Sequence, residues 1–235
     1  MQTHTSSRWT ALAEVIAFVA IAISSKLLVD QFIWKFSGPI TLIGTLILIT
    51  IYMRFQGMKW SQMGLRGLPG LKSKLLVIPQ ILLLFAVFAA AVLFFSEGLP
   101  AMGVEFMAEE SEGVNDRWGD IEGNLQIYLL WLAIVWTSAA FGEEMFFRGF
   151  LITRLEAVFR GIPLAPVLSV LIPALIFGYG HFYYQGWSGL VMTGVIGLIF
   201  GSFFLIYKHN LWPLIIFHGL FDTLGMTAMY FGIDA

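Results

Sequence analysis

Two adjacent carboxylates and a guanidinium, Glu143, Glu144 and Arg148, sit in a stretch that otherwise reads as apolar helix. No charge occurs from Leu125 to Phe141, and Gly149, Phe150, Leu151 and Ile152 follow the cluster. An ionisable side chain at membrane depth costs roughly 2.5–3.5 kcal/mol on insertion scales, so one that persists there has a partner or a task. His181, His218 and Asp222 fall in apolar stretches of the same kind. These residue types supply acid–base chemistry on water, or imidazole and carboxylate ligands for a metal.

Spacing separates the roles. Glu144 and Arg148 are i and i+4 with the acid first, the favourable order for an ion pair on one helix face. Glu143, turned about 100° around the helix, is left free for another neighbour. His218 and Asp222 are also i and i+4; the aspartate either holds the imidazole in one tautomer or shares a ligand with it. A carboxylate in a low-dielectric cavity holds a proton more readily, which suits it to take one from water. His4 in the tail and His209 beside Lys208 read as solvated. An isolated Glu–Arg pair is often a packing device and an isolated intramembrane histidine a hydrogen-bonded bystander. Acids, base and two imidazoles on three apolar helices are not explained by packing, because each adds an insertion cost.

The elements that must position these groups follow from composition. The chain is 58% apolar and 12% charged, with a mean hydropathy of +0.83, against about 25% charge in soluble domains. An all-α, polytopic transmembrane bundle is expected, because backbone polar groups in lipid must be satisfied within each segment. With no repeat, low-complexity tract or linker, residues 1–235 read as a single membrane domain. A net charge of −2 gives no basis for a nucleic-acid partner, and the lack of cysteine excludes disulfides, thiol nucleophiles and thiolate metal sites.

Apolar runs place spans near Thr10–Val29, Gly38–Tyr52, Leu75–Phe95, Gln126–Ile152, Pro163–Phe182, Trp187–Tyr207 and Leu211–Phe231, seven give or take one. Arg54, Lys59, Arg66, Lys72 and Lys74, with no acid between Met53 and Lys74, mark that loop as cytoplasmic. The loop 97–122 is its opposite: Glu97, Glu105, Glu109, Glu110, Glu112, Asp116, Asp120 and Glu122 face Arg117 alone, which reads as a solvated acidic loop on the far side. Alternation puts the N-terminus in the cytoplasm of a multi-pass cell-membrane protein; an eighth span would move the C-terminus inside. Along straight helices this topology leaves Glu143 nearer the cytoplasmic side and His181 nearer the outer side. They converge if the fourth helix is long and tilted, or if Pro163, Pro166 and Pro173 break the fifth.

Two other motifs are better read structurally. Gly186-Trp187-Ser188-Gly189 resembles the Gly-x-Ser-Gly of rhomboid-type serine proteases, with His218 as base. Yet Ser188 falls at a helix mouth while His218 lies about two turns in from the opposite side, so the glycines read as a turn. Gly194, Gly197 and Gly201 read as a close helix-packing stripe.

Taken in order, Glu143-Glu144-x-x-x-Arg148, Phe177-x-x-x-His181 and His218-x-x-x-Asp222 resemble the motifs of the CPBP (also Abi) family of intramembrane proteases. That family includes the type II CAAX prenyl endopeptidases and bacterial bacteriocin-processing relatives. The resemblance covers roughly residues 125–230, the expected catalytic core, and Trp60-Ser61-Gln62-Met63-Gly64-Leu65-Arg66 is similar to a segment often found before it. It implies that Glu143 activates a water with help from His181. His218 and Asp222 then stabilise the oxyanion or share in binding the water or a metal, and Glu144 with Arg148 supports them. Asp222 stands where eukaryotic prenyl endopeptidases often carry Asn, which is closer to bacterial members. The implied partners are the lipid bilayer and a peptide or protein substrate: a prenylated CAAX end, a bacteriocin leader or a quorum-peptide precursor. No cofactor is required if Glu143 acts alone; zinc on Glu143, His181 and His218 is the alternative. Outside proteolysis, a proton-coupled transporter would use the same acids and histidines as a relay, and a non-catalytic scaffold would keep them as a degenerate site. The absence of paired Gly/Pro-broken helices argues against the first, and the intact Glu143, His181 and His218 against the second.

Overall fold

A computed structural model describes residues 7–108 and 112–233. His4 and the acids Glu109 and Glu110 lie outside the described residues. Among the described residues there is no strand; the regular structure is helical throughout. Four helices are long and apolar enough to cross a membrane: Arg8–Phe55, Gly70–Ala101, Leu125–Val158 and Ala165–Ile206.

Two of the four reverse direction. α1 (Arg8–Phe55) leaves helical geometry at Ile33 (φ −150°, ψ 66°). Its two arms lie side by side, with the Tyr52 hydroxyl donating to Glu14 Oε1 at 2.8 Å and the Phe18 and Tyr52 rings 5.5 Å apart. A 3₁₀ turn, Trp60–Met63, and the short α2 (Gly70–Leu75) lead into α3 (Val77–Leu93). The loop beyond holds α4 (Leu99–Ala101), a turn at Glu105–Ala108 and α5 (Glu112–Trp118). α6 (Leu125–Ile134), a wider i+5-bonded helix over Val135–Ile152 and α7 (Thr153–Val158) then form one continuous rod. α8 (Ala165–Ile206) reverses at Gly186, whose φ of +64° suits a residue without Cβ. α9 (Trp212–Tyr230) closes the bundle.

Among the described residues the helices thus run back and forth between two ends of the bundle. At one end lie the basic turn Trp60–Arg66, the Glu14–Arg154 pair (3.3 Å) and the His209–Glu156 contact (2.9 Å). His209 is therefore half-buried and partnered, where its place beside Lys208 suggested solvent. The other end carries the loop 97–122, tied down by the Gly123 N–H donating to the Tyr230 carbonyl at 2.9 Å. Glu97, Glu105, Asp116, Asp120 and Glu122 are exposed, as a solvated loop requires, but Arg117 is buried.

Small residues set the spacing within α8. A Cβ on Gly178 would lie 2.6 Å from the Leu190 carbonyl oxygen, and one on Gly197 2.9 Å from Ala174 Cα. The arms 165–185 and 187–206 therefore touch backbone to backbone, the close approach that drives helix association in lipid. Aromatic rings fill the centre: Phe18 meets Phe150 edge-on at 5.3 Å, and Phe88 meets Phe217 at 5.2 Å.

The turn before the core is a brace. Gly64 has φ +100°, and a Cβ there would sit 2.7 Å from the Phe204 ring and 2.8 Å from the His209 carbonyl oxygen. Trp212 Nε1 donates to the Arg66 carbonyl (2.8 Å) and Trp60 Nε1 to Thr50 Oγ1 (3.0 Å), so the turn joins α1, α8 and α9. Gly64→Ala is expected to destabilise the detergent-solubilised protein by about 1–3 kcal/mol, through backbone strain and overpacking. Gly67→Ala, which meets nothing within 4 Å, should stay within about 0.5 kcal/mol of wild type. Thermal unfolding of the two variants in one detergent checks the difference.

Candidate active site

Glu143, Glu144 and Arg148 lie on the wide helix Val135–Ile152, Phe177 and His181 on the first arm of α8, and His218 and Asp222 on α9. All seven line one cavity of about 450 Å³. Convergence comes from the length of the 125–158 rod. The first arm of α8 stays helical through Pro173, Pro166 occupies its opening turn, and only Gly186 departs from helical geometry. The proline break is therefore absent and the long fourth helix alone brings Glu143 and His181 to the same cavity.

Glu144 is the centre of the cluster. It is 0% exposed, and its Oε1 accepts from Arg148 Nη1 at 3.0 Å and from His218 Nδ1 at 2.9 Å. Its Oε2 has no hydrogen-bond partner, so both contacts load one oxygen. The Arg148 guanidinium is sandwiched 5.0 Å from the Phe177 ring on one arm of α8 and 5.0 Å from the Phe200 ring on the other. Two aromatic faces and a carboxylate replace the water that a buried guanidinium gives up.

The histidine tautomers follow from their partners, since carbonyls and carboxylates only accept. His218 carries a proton on Nδ1, toward Glu144, and turns Nε2 toward Asp222 Oδ2 (3.4 Å) and Glu143 Oε2 (3.9 Å). His181 carries a proton on Nδ1, which donates to the Phe177 carbonyl at 2.8 Å. Its Nε2 is then the free lone pair of the neutral ring. Phe177 thus has two roles the spacing did not show: its ring covers Arg148 and its carbonyl orients His181.

Both carboxylates border the cavity, but Glu143 is partly exposed whereas Glu144 is buried. Three carboxylates meet one guanidinium and two imidazoles in this cluster. Among the described residues no three His, Asp or Glu side chains are grouped as a metal-binding set. Ser188 follows the Gly186 reversal and donates to the Gln185 carbonyl at 3.2 Å, a helix-start contact.

Apolar helices that gather acids and imidazoles around an internal cavity define a polytopic membrane protein with an ionisable site at depth. Residues 125–224 match the family model described as type II CAAX prenyl endopeptidase Rce1-like. The resemblance read from the three motifs is shown over that segment, and the match supports intramembrane protease activity in general. No curated protein and no solved structure matches the chain.

Removing one partner of a buried pair strands the other charge, which typically costs 3–5 kcal/mol. Arg148→Met should therefore destabilise the bundle by about 3 kcal/mol or more. The double variant Glu144→Gln/Arg148→Met should lose less than the sum of its single variants. Unfolding midpoints of the four proteins close this cycle, and simple additivity would show that the pair is not coupled.

Proposed function

We propose that the protein is an intramembrane endopeptidase that hydrolyses a membrane-associated peptide through a water activated by Glu143 with His181. The observation that carries this is the meeting of Glu143, His181, His218 and Asp222 at one cavity, with Nδ1 of each imidazole held by a partner. Glu143 takes a proton from the water while its hydroxyl adds to the scissile carbonyl. The oxyanion forms beside His218, whose Nε2–H, when the ring is protonated, donates to it. Asp222 at 3.4 Å stabilises that protonated ring. The proton held by Glu143 passes to the amine as the C–N bond breaks, so water is added across the peptide bond and no group is left on the enzyme. Glu144 and Arg148 touch no reacting atom; they position His218. Residues 125–230 form the catalytic core of one membrane domain, and both CAAX-type and leader-type peptides fit this chemistry.

The basic loop Met53–Lys74 is placed in the cytoplasm with the N-terminus, by the positive-inside rule. The cavity is walled by Lys26, Trp118, Tyr183 and Gln185, which lie toward the acidic-loop end of the bundle. In this orientation substrate enters laterally between helices or from the face away from the cytoplasm.

Glu143→Gln should lower cleavage of a prenyl-peptide and leader-peptide library by about 10²- to 10⁴-fold, while wild type keeps its activity in a chelator. Activity that is lost on chelation and restored by zinc would overturn the metal-free mechanism. Because the chain has no cysteine, single Lys72→Cys and Asp120→Cys variants report orientation cleanly. In intact cells an impermeant maleimide should label position 120 and spare position 72; the reverse pattern would invert the topology.

A further inference from the structure

The cavity has a second charged feature, at the end away from Glu144. Arg117, on α5 in the otherwise acidic loop, is 8% exposed although it belongs to a surface loop. Arg117 is among the residues that line the cavity. Nη1 donates to the Tyr183 hydroxyl at 2.6 Å, and the group lies 4.7 Å over the Tyr184 ring. Nε is buried with no hydrogen-bond partner, and among the described residues no acid pairs with Arg117. Lys26, the other cation on this wall, is by contrast neutralised by Asp30 at 2.7 Å.

A buried guanidinium held by a hydroxyl and an aromatic face, with donors to spare, is built for an anion that arrives with the ligand. In a peptide-hydrolysing cavity the matching group is a carboxylate, whose two oxygens fit the fork of the guanidinium. The acids Glu143 and Asp222 repel that group from the catalytic end, so the two charges of the substrate site are sorted along the cavity. Tyr184 links the ends, since its ring lies 5.7 Å from the His181 ring. From His181 to Arg117 is therefore at most two ring contacts, a gap that no more than about three residues of extended chain span at roughly 3.4 Å each.

Resting on the endopeptidase reading, we infer that Arg117 is the substrate-anchoring residue, which binds the C-terminal carboxylate of a peptide cut a few residues before its end. Arg117 lies outside the family match at residues 125–224.

The test uses a farnesyl-cysteine peptide with three residues after the cysteine, as free acid, as C-terminal amide, and as amide with glutamate last. Binding is measured on the full-length Glu143→Gln protein and cleavage on wild type, each with and without Arg117→Gln or Arg117→Lys. The free acid should bind about 10- to 100-fold tighter than the amide. Arg117→Gln should abolish that preference with little effect on the amide, and Arg117→Lys should restore part of it. Equal weakening of acid and amide would make Arg117 a packing residue and overturn the inference, as would a preference that survives Arg117→Gln. An amide ending in glutamate that binds like the free acid would shift the anchor to a side chain and overturn the terminal assignment. Binding that follows these rules without any cleavage by wild type would instead fault the protease reading.

Discussion

One oxygen atom organises the polar interior. Glu144 Oε1 accepts from Arg148 on its own helix and from His218 on α9, and Arg148 is clasped by rings from both arms of α8. A buried carboxylate is tolerable only when its charge is met by well-placed donors, because desolvation otherwise outweighs attraction. Here the donors come from two elements and the aromatic cover from a third. Meeting that electrostatic demand therefore fixes the positions of the rod, α8 and α9 together. The orientation of His218 is a by-product of the same constraint, and with it the direction in which Nε2 faces Glu143 and Asp222.

Lipid gives little hydrophobic incentive for helices to associate, so packing and polar contacts must hold the site. The glycines of α8 let its two arms approach backbone to backbone. That closeness lets Phe177 and Phe200 reach the same guanidinium from opposite arms. The wide winding over Val135–Ile152 is the second device. Such i+5 geometry is rare and tends to occur at functional sites. In this rod it coincides with the only segment that must turn two adjacent carboxylates to different surroundings, one buried and one partly exposed.

The apolar runs made most of the passes legible, including reversals between the first and second and between the fifth and sixth. The Glu144–Arg148 pair was legible because i,i+4 partners stay neighbours even when the helix widens. The widening itself was not, since no composition marks it. Nor was the His218–Glu144 bond, which joins residues 74 positions apart and depends on the packing of α9. Three prolines suggested a break that does not occur: Pro166 sits in a first turn, where its missing N–H is harmless, and Pro173 is absorbed in a buried helix. His209 was read as solvated from its neighbour Lys208, but its partner Glu156 arrives from a different element. Arg117 does carry a signal in the sequence. A single cation beside a tryptophan in an acidic loop is out of place in a purely solvated segment, and burial beneath Tyr183 and Tyr184 explains it.

Hydrolysis within a membrane needs water where lipid would exclude it, and the distribution of polarity in the cavity addresses this. Its volume of about 450 Å³ corresponds to on the order of ten waters at about 30 Å³ each, or to fewer beside a short extended peptide. Most of the wall is aliphatic and aromatic, while the ionisable groups gather where the rod, α8 and α9 meet. Water in the cavity is therefore best held at the carboxylate–imidazole cluster and poorly held elsewhere along the apolar wall. An apolar ligand segment has the complementary preference, so under the proposed function the same surface would sort water and peptide to different parts of the cavity. Glu143 stands at that boundary. Its neighbour Glu144, one residue away, borders the same cavity but is 0% exposed, and under the proposed function this difference in solvent access separates a group that handles water from one that holds the structure.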